Sequence, residues 1–228
     1  MKKSCCCTGH RPQGFPFEYG KDKKRHKVYL KALEEKIKLA ITEYGITNFI
    51  SGMAIGVDLD FAEIVLKLRD EYAITLECAI PCQNQTMKWN DTDKLRYESI
   101  LKRANEVTLI SIRYTPECML QRNRYMVDKS CLVIAVFNGL EKGGTWYTIN
   151  YANKENKIIE LIELDNIEKI IKENKKLIRN IIIAFSVFVA ICLIEFICIY
   201  AIKGDETREF YKEFWRWYIE FVLFQIRL

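Results

Sequence analysis

Short apolar runs alternate with amphipathic stretches along the first 165 residues of this 228-residue chain, and this alternation restricts the fold more than any other feature. The apolar runs predict strands, at residues 4–8, 48–51, 74–80, 106–112, 132–137 and 157–161. Helical spacing predicts intervening helices, at residues 22–44, 59–69, 92–103, 117–128 and 145–153. Because strands and helices alternate with short connections, we predict an α/β fold with a mostly parallel sheet and helices on both faces.

The apolar segment at residues 181–202 departs from this pattern. It has 22 residues with a single charge, Glu195, and as a helix it would be about 33 Å long, which matches a hydrocarbon core of about 30 Å. We predict a transmembrane helix, and the alternative is a helix buried in a protein core. Glu195 either faces the interior of a bundle, which implies a homo-oligomer, or reaches the membrane interface from a single helix.

Two charged helical patterns flank the apolar segment. We therefore divide the chain into an α/β domain (1–162), a helical stalk (163–180), a transmembrane helix (181–202) and an amphipathic interfacial tail (203–228). Five charges in residues 209–228 form one helical stripe opposite an aromatic face: Glu209, Glu213, Arg216, Glu220 and Arg227. A second span and an oligomerisation helix are the alternatives for the tail.

Composition limits the compartment and the partners. Three of the nine cysteines are consecutive in an apolar run at residues 5–7 with no secretory signal before them, so we expect reduced, buried thiols. A single-pass membrane protein with its N-terminal domain in the cytoplasm is the expected arrangement. The net charge of +5 is too small to indicate nucleic acid. No set of convergent N or S ligands suggests a metal, and we predict no metal and no cofactor.

Glycine-rich loops follow three of the predicted strands, at the edge where open α/β sheets bind ligands. A glycine turn at the start of a helix exposes backbone N–H groups that can hold an anion, although such turns also serve as simple tight connections. An Arg-Asn-Arg triplet in the fourth helix adds cationic donors, or else forms a solvated face. The predicted ligand-binding residues are Thr8, Gly9, His10, Arg11, Ser51, Gly52, Met53, Gly56, Asp58, Arg122, Asn123, Arg124, Gly143, Gly144 and Thr145.

In their order and spacing these motifs resemble the SLOG superfamily, and within it the YpsA-like family of unknown function, over about residues 1–162. The segment 81–100, with Trp89, is also similar to that branch. The resemblance implies a Rossmann-like fold that binds nucleotides or nucleotide-derived small molecules. SLOG-like domains joined to effectors act as sensors in bacterial anti-phage signalling. A membrane-anchored nucleotide sensor in bacterial stress or anti-phage signalling is therefore our first hypothesis.

Two other branches of the superfamily supply the alternatives. The LOG phosphoribohydrolases carry P-G-G-x-G-T-x-x-E with a catalytic glutamate, whereas residues 142–148 here lack the proline, one glycine and the glutamate. An enzyme is therefore not favoured, and the sequence does not choose between Asp58 and Glu117 as a replacement base. The DNA-processing protein A family binds single-stranded DNA, for which four aromatic residues are available, but a membrane segment argues against nucleic acid: Trp89, Tyr97, Tyr125 and Trp146.

Overall fold

A computed structural model describes residues 3–202, 212–217 and 219–220. Six strands form one sheet in which every pairing is parallel. The strand order is β4-β3-β2-β1-β5-β6. The strands are β1 (Ser4–Thr8), β2 (Asn48–Ser51), β3 (Thr75–Ile80), β4 (Glu106–Leu109), β5 (Leu132–Phe137) and β6 (Ile158–Glu163). The predicted α/β fold with a parallel sheet is confirmed.

Helices connect the strands, as the alternating pattern predicts. They are α1 (Lys23–Thr42), α2 (Val57–Leu68), α3 (Asp91–Arg103), α4 (Cys118–Asp128), α5 (Gly143–Lys154) and α6 (Asn166–Ile202). Most boundaries lie within two residues of the prediction, but β4 ends at Leu109 and not at Ile112. The reason is that β3, its partner, ends at Ile80 before Pro81, and Ile110 makes the last backbone bond to Ile80 at 2.8 Å.

The sheet has a hydrophobic cluster on each face. Strand β1 divides its cysteines between them, because alternate side chains point to opposite faces. Cys5 and Cys7 belong to the larger cluster, which includes buried residues of α1, α2 and α3, whereas Cys6 packs with Met126 of α4 and Ala152 of α5. Burial raises the pKa of Cys6 to about 12, which keeps it a neutral thiol. The described cysteines are all free.

The direction in which strands are added reverses between β1 and β5. Strands β2, β3 and β4 extend the sheet on one side of β1, and β5 and β6 extend it on the other. Cys6 pairs with Ile50 of β2, and Cys7 with Ile134 of β5. Helix α1, which follows β1, packs on the face of the larger cluster, and α5, which follows β5, packs on the other face. Such a reversal opens a crevice at the carboxyl edge of the sheet.

The chain divides into two compact units, Met1–Ile171 and Lys172–Leu228. The first unit extends beyond residue 162, because Ile167 and Ile171 are buried in its larger cluster. Helix α6 is continuous from Asn166 to Ile202 and therefore includes residues 166–180 of the predicted stalk and the whole predicted span.

Helix α6 is long and apolar enough over Asn166–Glu195 to cross a membrane. None of its apolar window is buried within the described chain, which does not fit the alternative of a core helix. The hydroxyl of Ser186 has a hydrogen-bond partner inside the helix, since it donates to the Ile182 carbonyl at 2.8 Å. It therefore needs no partner from water or lipid. The predicted interfacial tail at 203–228 lies mostly outside the described residues.

Candidate functional site

A cavity of about 320 Å³ lies at the carboxyl edge of the sheet, at the crevice between β1 and β5. The loop after β1, the turn before α2, and the facing parts of α4 and α5 form its wall. Nine of the fifteen predicted ligand-binding residues line it: Thr8, Gly9, His10, Arg11, Asp58, Arg122, Asn123, Gly144 and Thr145. Sequence reasoning did not identify five further lining residues, which are mostly apolar and carry no motif: Cys7, Ala54, Met119, Leu120 and Met126.

The N-terminus of α5 provides the cavity with backbone donors. The helix begins at Gly143, whose φ of +82° suits glycine, and Lys142 in the capping position makes no side-chain cap. The first turn contains no acidic residue. The N–H groups of Gly144 and Thr145, which line the cavity, therefore have no partner inside the helix. The free N–H groups and the helix dipole make this end of the cavity attractive to an anion.

Arg122 is the buried cation of the site. Its Nε donates to Oδ1 of Asn123 at 2.8 Å, and its Nη1 donates to the Gly52 carbonyl. Nη1 also lies 3.4 Å from Oδ2 of Asp58. No partner for Nη2 is found in the described part of the chain. The guanidinium is thus fixed on two sides while its Nη2 donors stay available on a cavity wall.

Asp58 is held in the first turn of α2 by the loop that precedes it. Its Oδ2 accepts from the Ala54 N–H at 3.2 Å, and its carbonyl accepts from the Ser51 hydroxyl at 2.7 Å. The same hydroxyl accepts from the Met53 N–H at 3.2 Å. Burial raises the pKa of Asp58, and the nearby Arg122 guanidinium acts in the opposite direction. The N–H groups of Met53 and Ala54 are therefore already used within the protein.

Glycines in the first two loops allow backbone segments to pack against each other. A Cβ on Gly9 would lie 2.5 Å from the Val57 side chain, and one on Gly56 would lie 2.6 Å from the His10 carbonyl oxygen. A Cβ on Gly52 would fall on the Arg122 guanidinium. Ser51, Gly52, Met53 and Gly56 do not line the cavity, and they support the residues that do.

His10 connects the first loop to the loop after β5. Its Nε2 accepts from the Asn138 backbone N–H at 3.2 Å, and its ring stacks on Phe137 with 6.1 Å between centroids. Burial lowers the pKa of His10, so the ring is neutral near pH 7 and this bond assigns its proton to Nδ1. Asn138 also donates to the Gly14 carbonyl at 2.8 Å. Sequence reasoning did not select Asn138, although an Asn-Gly pair directly after a strand marks such a turn.

Helix α4 positions the first turn of α5 through a hydrogen-bonded series. Asn123 donates to Oγ1 of Thr148 at 2.8 Å, and Thr148 donates to the Gly144 carbonyl at 2.8 Å. Thr148 is fully buried and belongs to the pair, residues 147–148, that stands where the LOG pattern has its glutamate. Arg124 does not line the cavity. Its guanidinium carbon lies 5.5 Å from the centre of the Tyr147 ring.

The charges around the cavity favour an anion. Two guanidinium groups, of Arg11 and Arg122, line it together with one carboxylate, that of Asp58. The helix dipole of α5 adds to the positive side. The described residues contain no group of three or more His, Cys, Asp or Glu side chains placed to hold a metal ion.

Comparison with known proteins connects this site to a family. The model described as the YspA SLOG family matches residues 5–167, which include every loop and helix around the cavity. The chain belongs to this family. The predicted resemblance is thereby confirmed, and α6 lies almost wholly beyond the part that the YspA SLOG family model matches.

Two bacterial relatives of this YspA SLOG family member are UPF0398 proteins. One is from Bacillus pumilus strain SAFR-032 and is 30% identical over 155 residues, which are 66% of this chain and 81% of the relative. The other is from Bacillus cereus strain B4264 and is 30% identical over 162 residues, which are 68% of this chain and 85% of the relative.

Proposed function

We propose that this protein binds a phosphate-bearing, nucleotide-derived small molecule in the cavity and acts as a membrane-anchored sensor. One observation carries the proposal: the free N–H groups at the start of α5, Nη2 of Arg122 and the guanidinium of Arg11 meet around a single cavity. The YspA SLOG membership supports the same ligand class through the superfamily resemblance.

Phosphate fits this donor set better than other common anions. Its oxygens accept from several directions, and here backbone N–H groups, a fixed guanidinium and an exposed one approach from different elements. Thr8 and Thr145 add hydroxyl groups on the wall. The volume of about 320 Å³ is at the lower end of the range for small-molecule sites, which is about 300–1,000 Å³.

Binding without turnover is favoured by the groups that surround the cavity. Asp58 is its one lining carboxylate among the described residues, and it already holds Arg122 and the Ala54 N–H. Glu117 does not line the cavity. The Thr148 hydroxyl is buried and hydrogen-bonded, and a hydroxyl does not act as a base near neutral pH. These features support a sensor over a phosphoribohydrolase.

The anchoring part of the proposal rests on α6. Its length and apolar composition suit a single membrane span, with the ligand-binding unit on the side where thiols stay reduced, which is the cytoplasm. In such a sensor, ligand binding to the first unit would change the state of the membrane segment.

A thermal-unfolding screen of the full chain in mild detergent tests the binding function. A ligand that binds only the folded state at 100 times its Kd stabilises by about 2.7 kcal/mol. We expect inorganic phosphate to stabilise weakly and nucleoside phosphates to stabilise more, and we expect Arg11→Gln to reduce both effects. Arg113→Gln is the matched control, since Arg113 is also exposed but does not line the cavity.

The proposal fails if no phosphate compound stabilises the protein, or if the Arg11 and Arg113 variants respond alike. Chromatography of the same mixtures separates a sensor from an enzyme. Release of free base from a nucleotide, at a rate that Arg113→Gln retains and Asp58→Asn abolishes, would replace the sensor with a hydrolase.

A further inference from the structure

A second cavity, of about 820 Å³, lies beside the first on the side of β2, β3 and β4. Arg11 and Met119 line both cavities, so the two are adjacent compartments that meet at these side chains. The loop after β3 forms most of its wall, the loop after β1 contributes residues 11–13, and the segment before α4 contributes Tyr114. None of the fifteen predicted ligand-binding residues except Arg11 lines it.

Aromatic rings and amides line the second cavity. Trp89 is half-buried and held edge-to-face against Tyr97 at 5.4 Å between centroids, while Tyr114 is 65% exposed. Aromatic rings of this kind stack on nucleobases. Four amide side chains line it, those of Gln13, Asn84, Gln85 and Asn90. Asn90 already caps α3 through Asp93, and Gln85 donates to the Met53 carbonyl. Gln13 and Asn84, which have no side-chain hydrogen bond among the described residues, therefore remain to pair with the polar edge of a base.

The two compartments differ in charge. Apart from the shared Arg11, the second cavity is lined by one cation, Lys88, and one anion, Asp93, which offset each other. The first contains Arg122 and the N-terminus of α5. A ligand with a charged end and an uncharged aromatic end is therefore oriented in one direction only, with its anion in the first compartment and its ring in the second.

We infer that the second cavity is the nucleobase compartment of this protein and that its ligand is a nucleoside 5′-phosphate. The inference rests on the proposed phosphate site. The base lies against Trp89 and Tyr114, the ribose passes Met119, and Arg11 at the junction contacts the phosphate. Tyr114 has no ring or hydrogen-bond partner among the described residues, so its ring is available to a base without loss of an internal contact.

Isothermal titration of the full chain in detergent with two kinds of probe tests the inference. Ribose 5-phosphate has the phosphate and the sugar alone, and AMP, GMP, CMP and UMP add a base. At least one of the four is expected to bind about tenfold or more tightly than ribose 5-phosphate, from the strength of base–aromatic stacking. Tyr114→Ala should reduce that advantage and leave ribose 5-phosphate unchanged. Ile112→Ala is the control, since Ile112 is 70% exposed in the same segment and lines neither cavity.

The outcomes separate the two proposals. If ribose 5-phosphate and all four nucleotides bind equally, or if Tyr114→Ala changes nothing, the base compartment is wrong and the phosphate site stands. If the Tyr114 and Ile112 variants weaken nucleotide binding equally, the base compartment is likewise wrong. If none of the five compounds binds, both proposals fall.

Discussion

Arg122 and Asp58 form an ion pair inside the first unit, with 3.4 Å between Nη1 and Oδ2 and with 7% of each side chain exposed. The pair joins α4 to the first turn of α2, and the same Nη1 donates to the Gly52 carbonyl. Removing one partner of a buried pair leaves the other charge without compensation in a poorly solvated place. The pair therefore fixes the geometry of the cavity wall as well as contributing a cation to it.

Replacing Arg122 with methionine should strongly destabilise the protein. Arg122→Met leaves the Asp58 carboxylate without its cation, with the Ala54 N–H as its remaining donor, and leaves the Gly52 carbonyl without the Arg122 donor. We expect the free energy of unfolding to fall by about 3–5 kcal/mol. Urea unfolding followed by tryptophan fluorescence measures the loss. Arg124→Met, two residues on, is the control with a much smaller expected effect, because Arg124 is exposed and contacts aromatic side chains only. Equal losses in the two variants would contradict the assigned role of the pair.

Gly56 and Gly45 allow the close packing of the first two loops to be tested. Both have positive φ, +99° and +66°, but a Cβ meets nothing within 4 Å at Gly45 and the His10 carbonyl oxygen at 2.6 Å at Gly56. Gly45→Ala should cost about 1–2 kcal/mol from backbone conformation alone. Gly56→Ala should cost clearly more, because backbone must move to admit the methyl group. Similar midpoints of thermal unfolding for the two variants would show that the loops yield easily.

The sheet could be predicted because each strand is an apolar run and each helix has its own periodicity. The ends of a strand are harder to predict, because they depend on the strand with which it pairs. The run at 106–112 remains apolar through Ile112, but β4 ends where its partner β3 ends, at Ile80. A strand boundary that depends on a neighbour about 30 residues away has no signal in its own sequence.

Nine of the fifteen predicted ligand-binding residues line the cavity, and the glycines show why the others could not be told apart from them. A glycine after a strand is required either where a ligand approaches the backbone or where another segment does, and the sequence is the same in both cases. Gly144 lines the cavity, whereas Gly52 and Gly56 face Arg122 and the His10 loop. Tyr114 belongs to no motif, so only the folded chain brings it to the second cavity.

The Arg-Asn-Arg triplet shows the same limit on a helix. Two residues apart on a helix means about 200° of rotation, so Arg122 and Arg124 must point to opposite faces. Which of the two lies inside depends on how α4 packs against the sheet. That packing buries Arg122 and exposes Arg124. The sequence alone predicts both as ligand-binding residues and does not distinguish them.

His10 should make stability depend on pH in a defined direction. Burial lowers its pKa from 6.5, so the folded state takes up a proton less readily than the unfolded state. The corresponding stability is fully present above pH 6.5 and is lost as the pH falls from 6.5 toward the folded pKa. Protonation would also break the Asn138 N–H bond to Nε2. Unfolding free energies measured from pH 7.5 to 5.5 should therefore fall.

The variant His10→Gln isolates this contribution. The pKa of His26, the other histidine, is also lowered by burial, so it acts in the same direction in both proteins and cancels in the difference. The advantage of the natural protein over His10→Gln should shrink as the pH falls through 6.5. Parallel curves for the two proteins would contradict a buried, neutral His10.

Two isoleucines of α6 test whether the helix spans a membrane. Ile191, at the middle of residues 181–202, and Ile178, in the charged stalk, are 50% and 58% exposed. Arginine at the centre of a span costs about 2.5–3.5 kcal/mol of insertion, and no other part of the described chain shields the apolar window of α6 from lipid. Ile191→Arg should therefore shift protein from the carbonate-washed membrane pellet to the soluble fraction, whereas Ile178→Arg should stay in the pellet because the stalk lies outside the hydrocarbon. Retention of both variants in the pellet would show that another segment holds the protein there. Recovery of the natural protein in the soluble fraction would instead mean that the exposed apolar face of α6 is covered by protein, and the anchoring part of the proposed function would be withdrawn.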